Sequence, residues 1–230
     1  LMQTVPSIIA ELAGFDFIAN QQDGCAIIHK IVQMHTQILN FSEHDASNAL
    51  LEVIPFERIE SLEGDAIVVE LVKWFKEDCF TFAKEFKRHN CQGPTAKLPQ
   101  LNPPSKTESQ HLARITELYK CQRCGAMTRF PRYNSVAKLV ETRIGRCGEF
   151  ANTFAGILNA LGLDVRLVDD MNDHIWVEFW SEEKQRYVHV DPCENIVDKP
   201  LTYESGWKKK ETWVIAVGEG QVADVTPKYT

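Results

Sequence analysis

Gly145-Arg146-Cys147-Gly148-Glu149 runs directly into Phe150, Phe154, Ile157, Leu158 and Leu161, and Gly162 follows. These apolar residues fall at helical spacing, so Phe150–Leu161 reads as a helix with Gly162 as its stop. Val165-Arg166-Leu167-Val168 then reads as a strand. Asp173–Trp180 and Arg186–Asp191 each alternate apolar and polar residues, and the polar Ser181-Glu182-Glu183-Lys184 lies between them. That pattern predicts a hairpin with a loop of about four residues. Thr212–Val217 and Val222–Val225 are further strand candidates. Upstream, Gly24–Asn40 carries Ile27, Ile28, Ile31, Val32, Met34, Ile38 and Leu39 with helical recurrence, and Asp65–Lys87 predicts a longer helix through Val68, Val69, Leu71, Val72, Phe75, Phe82 and Phe86. Helices first, then one helix followed by antiparallel strands, is an α+β order.

The hairpin has a chemical consequence. If Trp180 faces Gln185 across the turn, His174 falls directly opposite Asp191. Opposed side chains on one face have Cβ atoms about 4.5–5.5 Å apart, so the carboxylate can take a hydrogen bond from one imidazole nitrogen. The other nitrogen is then left for a nucleophile or substrate. A slip of one residue would put the two on opposite faces. Cys147 sits at the predicted helix start, where free N–H groups and the helix dipole favour a thiolate. Gly145 and Gly148 flank it and let a substrate carbonyl approach, and the Cys147 N–H is a candidate oxyanion donor. Taken singly, a cysteine, a histidine or an aspartate is an ordinary core or strand residue. Together, Cys147, His174 and Asp191 form the pattern of an activated nucleophile, its base and the group that orients the base.

The chain has 230 residues, enough for a sizeable core, and a formal net charge of −7. That balance argues against nucleic-acid binding through a generally basic surface. No stretch is apolar for long enough to predict a membrane span, and the first residues lack a signal-peptide pattern. The 7 cysteines form no regular disulfide framework, which points to a reducing compartment. Over 91–110, Gly93, Pro94, Pro99, Pro103 and Pro104 exclude regular helix, so this stretch is a loop or an insertion. It leads to a knuckle, Cys121-Gln122-Arg123-Cys124-Gly125. Arg129–Asn134 reads as another irregular segment.

Thr128-Arg129-Phe130-Pro131-Arg132-Tyr133-Asn134, Leu139-Val140-Glu141-Thr142-Arg143 and Gly145–Asn152 resemble the cytoplasmic peptide:N-glycanases of the transglutaminase-like superfamily. So do Asp173–Glu178, His189–Glu194, Asp198-Lys199-Pro200-Leu201 and Tyr203-Glu204-Ser205-Gly206-Trp207. The resemblance is dense from Cys121 to Val217 and looser upstream, where Trp74-Phe75-Lys76 matches.

It implies a papain-related α+β core with helices packed on an antiparallel sheet. It also implies one catalytic core over 1–230, with a small cysteine-knuckle insertion at 88–130. The implied activity is cleavage of the asparagine side-chain amide to the first N-acetylglucosamine of an N-glycan, through a Cys147 thioester. Glu194 and Trp207 match positions that line the sugar site. Relatives carry two Cys-x-x-Cys knuckles on one structural zinc, whereas here Cys91 lacks its upstream-knuckle partner. Cys91, Cys121 and Cys124 are the zinc candidates, with His89 as a chemically suitable fourth; the alternative is free thiols. Relatives also place a tryptophan near the nucleophile, where this chain has Phe82, which has no donor.

The implied partners are unfolded N-glycoproteins or glycopeptides and ubiquitin-like shuttle proteins of the proteasome pathway, in the cytoplasm or the nucleus. Two other readings share the scaffold. One is a different cysteine amide chemistry, such as transglutamination or peptide cleavage. The other is a non-catalytic binding scaffold.

Overall fold

The computed structural model describes residues 21–84, 86, 91 and 93–230. The N-terminal helices are α1 (Gln21–Leu39), α2 (His44–Val53), the single turn α3 (Phe56–Ile59) and α4 (Asp65–Trp74), which continues as a wider turn over Phe75–Cys79. Strand β1 (Thr81–Phe82) follows, and then a small antiparallel sheet of β2 (Thr95–Asn102), β3 (Thr116–Cys121) and β4 (Met127–Pro131), with the short helix α5 (Lys106–Gln110) between β2 and β3. Helix α6 (Val136–Thr142) and strand β5 (Ile144–Gly145) precede α7 (Cys147–Ala160). The second half forms β6 (Val165–Asp169), β7 (Ile175–Ser181), β8 (Arg186–Asp191), β9 (Ile196–Val197), β10 (Ile215–Val217), β11 (Val222–Asp224) and the terminal turn α8 (Thr226–Tyr229).

The larger sheet runs in the order β11-β10-β6-β7-β8-β9, and each neighbouring pair is antiparallel. Helix α7 packs on β6 and β7, with α1, α2 and α6 against it. Every residue from Glu149 to Leu158 is buried, so α7 is the central rod of the core rather than a surface helix. Gly162 ends it in the left-handed region at φ 84°, as its position after the last apolar residue predicts. Helices on an antiparallel sheet give the α+β architecture expected.

Three expectations are corrected. The helix predicted over Asp65–Lys87 ends at Cys79. Phe80 turns extended (φ −129°, ψ 133°) to stack on Phe75 at 5.1 Å and to meet Phe150 edge-on at 4.8 Å. Thr81–Phe82 then pairs in parallel with Ile144–Gly145. The proline-rich stretch after Cys91 holds strand β2, at the edge of its sheet, with a register shift between Lys97 and Leu101 that spans Pro99. An edge position and an irregularity are where a strand tolerates proline. The segment read as irregular from Arg129 begins as the end of β4, itself an edge strand of the small sheet.

Candidate active site

Cys147 opens α7, and the loop that leads into it is held by buried charge pairs. Glu149 accepts the Arg146 N–H at 2.9 Å and closes the first turn. The Arg132 guanidinium grips both Glu149 oxygens at 2.5 and 2.9 Å. Arg146 reaches back to both oxygens of Glu117 on β3 at 2.7 and 2.6 Å, and Tyr119 also donates to that carboxylate at 2.7 Å. Burial alone would raise the Glu117 carboxyl, but Arg146, Tyr119 and Lys97 hold it down at about 2. Gly145 is required sterically, because a Cβ there would lie 2.3 Å from the Glu149 Cβ. Gly148 meets no such crowding; the nearest atom to a Cβ would be an Arg132 nitrogen at 4.0 Å.

His174 stands immediately before β7, at the end of a tight loop. Asp170 Oδ1 accepts the N–H groups of Asn172, Asp173 and His174 at 2.9, 3.0 and 3.0 Å. Its other oxygen binds Lys209, which also pairs with Asp173 at 2.6 Å. Nε2 of His174 lies 2.7 Å from Asp191 Oδ2 at the end of β8. The Cys147 sulfur lies beside this loop, 3.7 Å from the Asp173 carbonyl oxygen. Burial alone would lower the His174 pKa, but hydrogen bonds and charge from Asp191 and Cys147 carry it up to about 10. Asp191 is fully buried; burial would raise its carboxyl, but the His174 partner holds it below the usual range.

The structure thus brings Cys147, His174 and Asp191 together, but not by the register expected. Val177 pairs with Val190 and Ser181 with Arg186, so the turn is Glu182–Gln185 rather than Ser181–Lys184. Ser181 remains in the strand, where its hydroxyl accepts the Lys184 N–H at 3.0 Å, and Gln185 takes the left-handed position at φ 50°. The shift moves the facing partner by two residues, so parity is kept and both side chains stay on one face.

Of the sugar candidates, the Trp207 ring lies 5.0 Å from the His174 ring and is 45% exposed. Glu194 is exposed and gives its N–H to Asp191 Oδ1 at 3.3 Å. A cavity of about 390 Å³ opens on another side of the site, past Gly148, Glu149 and Ile175, and is faced by Gln33, Gln37 and Asn134. Phe82, where a donor was sought, packs its ring 5.8 Å from Phe150. Residues that sequence reasoning left without a role are Asp170 and Lys209, which shape the His174 loop, Glu117, and His189 and Tyr203 behind Asp191. The last two lay inside quoted motifs, and His189 shares strand parity with Asp191.

The metal candidates also converge. Cys91 Sγ lies 3.5 Å from Cys121 Sγ and 3.4 Å from Cys124 Sγ, and all three thiols fall within 4.8 Å of one another. Gly93 is packed against them, since a Cβ there would come 2.7 Å from Cys121 Sγ. Three thiolates so placed fit three corners of a tetrahedral ion and could hold a metal. His89 lies outside the described residues.

A model of the transglutaminase-like superfamily matches residues 98–192, and one of the Rad4 transglutaminase-like domain matches 168–230. The chain is 46% identical over 177 residues to the peptide-N(4)-(N-acetyl-beta-glucosaminyl)asparagine amidase of Caenorhabditis briggsae, which covers 75% of this chain and 29% of that one. Against the amidase of the same name from Saccharomyces cerevisiae it is 43% identical, over 74% of this chain and 48% of the relative. The chain carries a transglutaminase-like domain and, over about three quarters of its length, is similar to curated peptide:N-glycanases. The peptide:N-glycanase of Homo sapiens is 43% identical over 73% of this chain and 26% of its own length. The chain thus spans between about a quarter and a half of the curated peptide:N-glycanases it matches. Among solved structures, a Rad4–Rad23 complex bound to a 6-4 photoproduct UV lesion superimposes with a TM-score of 0.56 at 12% identity, over 90% of this chain and 48% of that one, a likeness of fold alone.

Proposed function

We propose that the protein is a deglycosylating amidase that hydrolyses the asparagine side-chain amide bearing N-acetylglucosamine in N-glycoproteins or glycopeptides. One observation carries this reading: the buried His174–Asp191 pair, joined at 2.7 Å, stands beside Cys147 at the first turn of a central helix. The identity with relatives named as amidases of that bond supplies the substrate class.

In this reading the Cys147 thiolate attacks the amide carbon, and the Cys147 N–H in the first turn of α7 steadies the developing oxyanion. His174, whose proton is retained well above neutrality, passes it to the leaving glycosylamine nitrogen. The resulting thioester is hydrolysed by a water that gives its proton to His174, leaving aspartate and a 1-amino glycan, which loses ammonia in water. Asp191 accepts from Nε2 throughout, which leaves Nδ1 for Cys147 and the leaving group. Trp207 offers an indole face to the first sugars, and Glu194 accepts their hydroxyls. The cavity beside Gly148 and Ile175 takes the flanking polypeptide. Cys91, Cys121 and Cys124 would hold a zinc ion, which would cross-link the small sheet to the segment before it. The cellular setting that fits this activity is the degradation of misfolded glycoproteins in the cytoplasm or nucleus, with ubiquitin-like shuttle proteins as partners.

The test is incubation of a denatured N-glycoprotein with the wild type and with Cys147→Ala. Conversion of sequon asparagine to aspartate by the wild type alone is the expected result. No conversion by a folded, metal-replete wild type removes the reading.

A further inference from the structure

Behind Asp191 runs a chain of hydrogen bonds that the proposed chemistry does not use. The Lys199 N–H donates to His189 Nδ1 at 3.4 Å. His189 Nε2 is therefore the protonated nitrogen, and it lies 2.8 Å from Tyr203 Oη. The Tyr203 hydroxyl donates to Asp191 Oδ2 at 2.9 Å, the same oxygen that His174 Nε2 reaches at 2.7 Å. His189, Tyr203 and Asp191 are all fully buried.

The direction of the chain is fixed at both ends. A main-chain N–H can only donate, and an ionised carboxylate can only accept. With the ends set, a neutral His189 has one tautomer and Tyr203 one hydroxyl orientation. The groups around His189 keep it neutral. Trp176 and Tyr229 pack on it with ring centroids at 6.1 and 5.8 Å. The charges that bear on it are the carboxylates of Asp191, Glu178 and Asp198 and the ammonium of Lys228. Burial prevails over those carboxylates and pushes His189 down to about 4.

We propose that His189 and Tyr203 are positioning residues for the reaction: their one-way chain keeps Asp191 ionised and aimed at His174, and so keeps the imidazole in register with Cys147. The proposal rests on Cys147 being the nucleophile. Asp191 receives four donors, namely His174, Tyr203 and the N–H groups of Cys193 and Glu194. Without the Tyr203 hydroxyl it has one fewer, and it protonates at a higher pH. His189→Gln retains a donor toward Tyr203, whereas His189→Leu does not.

Two pH profiles test this: alkylation of Cys147 by iodoacetamide, followed on its own peptide by mass spectrometry, and the kcat and KM of deglycosylation. The proteins are the wild type, Tyr203→Phe, His189→Gln and His189→Leu. Tyr203→Phe conserves volume and carries the test if His189→Leu does not fold. Removing a hydrogen bond to the ionised form is expected to move the acid limb of both profiles up by about half a pH unit or more in Tyr203→Phe and His189→Leu. Their kcat falls several-fold while KM holds, and His189→Gln overlays the wild type. Superimposable acid limbs in Tyr203→Phe and the wild type overturn the proposal, as does a His189→Gln limb displaced as far as that of His189→Leu. If the alkylation limb moves but the wild type releases no glycan, the relay stands and the amidase reading falls. If glycan is released and no limb moves, the relay falls and the amidase reading stands.

Discussion

His174 and Asp191 meet diagonally across the β7–β8 hairpin. Their side chains are joined at 2.7 Å although the register, continued past Val177–Val190, sets His174 opposite Cys193. Diagonal neighbours have Cα atoms about 7–8 Å apart, a gap that imidazole and carboxylate together span. The geometry makes Asp191 the acceptor for four donors from three directions, and its chemistry is hard to imitate.

Asp191→Asn is therefore expected to be more than an electrostatic change. Both carboxylate oxygens are engaged by donors, so an amide nitrogen must face a donor wherever it points. Leaving buried donors unpaired costs about 1–3 kcal/mol, in addition to a loss of turnover. Thermal or urea unfolding of Asp191→Asn against wild type measures the first, and glycopeptide kinetics the second. An Asn variant of wild-type stability would contradict the hydrogen-bond pattern described.

The stability contribution of His174 should depend on pH with a definite sign. Its pKa is raised in the folded state from an ordinary 6.5 to about 10. A group raised in this way stabilises fully below its unfolded value, and the contribution is lost as pH rises through the folded one. The wild type should exceed His174→Asn in stability at pH 6, with the difference fading by pH 10–11. In Cys147→Ala, where one of the groups that raise His174 is gone, the fading should be complete at lower pH.

Glu117 should matter to Cys147 without touching it. It is buried and receives Arg146 through two hydrogen bonds, Arg132 at 3.3 Å and Lys97 at 3.1 Å. Removing one partner of a buried ion pair costs about 3–5 kcal/mol. Glu117→Leu is expected to lose stability on that scale and to lower the alkylation rate of Cys147, because Arg146 no longer anchors the start of α7.

The two glycines beside Cys147 should separate. Gly145→Ala forces a Cβ within 2.3 Å of Glu149 and 3.0 Å of the Phe80 ring, and overpacking of this kind costs about 1–3 kcal/mol. Gly148→Ala has room. Unfolding midpoints that fall for both, or for neither, would show that the first turn is packed otherwise.

Zinc analysis should find about one ion per chain, since a cluster of thiolates at these separations suits a tetrahedral ion. Cys121→Ser should release it and lower the unfolding midpoint. A metal-free protein of unchanged midpoint would leave three ordinary thiols.

Much of the second half was legible because each element carries its own period: 3.6 residues in α7 and two in β7 and β8. The hairpin register slipped by two because Ser181, polar and buried, belongs to the strand rather than the turn. Phe82 and Phe86 carry the helical rhythm of Phe75 beyond the helix, yet Phe86 packs on Tyr119 and Phe130 of the small sheet at 4.6 and 4.8 Å. Local spacing cannot tell one apolar destination from another. The same limit hid the support of the site. Arg146–Glu117 joins residues 29 apart and Lys209–Asp170 residues 39 apart, and neither pair leaves a periodic trace. Cys147, His174 and Asp191 were readable because glycine, helix start and strand parity are local signals.

Trp207, half in solvent with its ring tilted 58° to that of His174, gives the protein a fluorophore beside that imidazole. A charged imidazole quenches a neighbouring indole, and an occupant sliding over that indole excludes water from it. The difference in emission between wild type and Trp207→Phe thus records, without label or substrate turnover, both the protonation of His174 and the arrival of whatever settles on the ring.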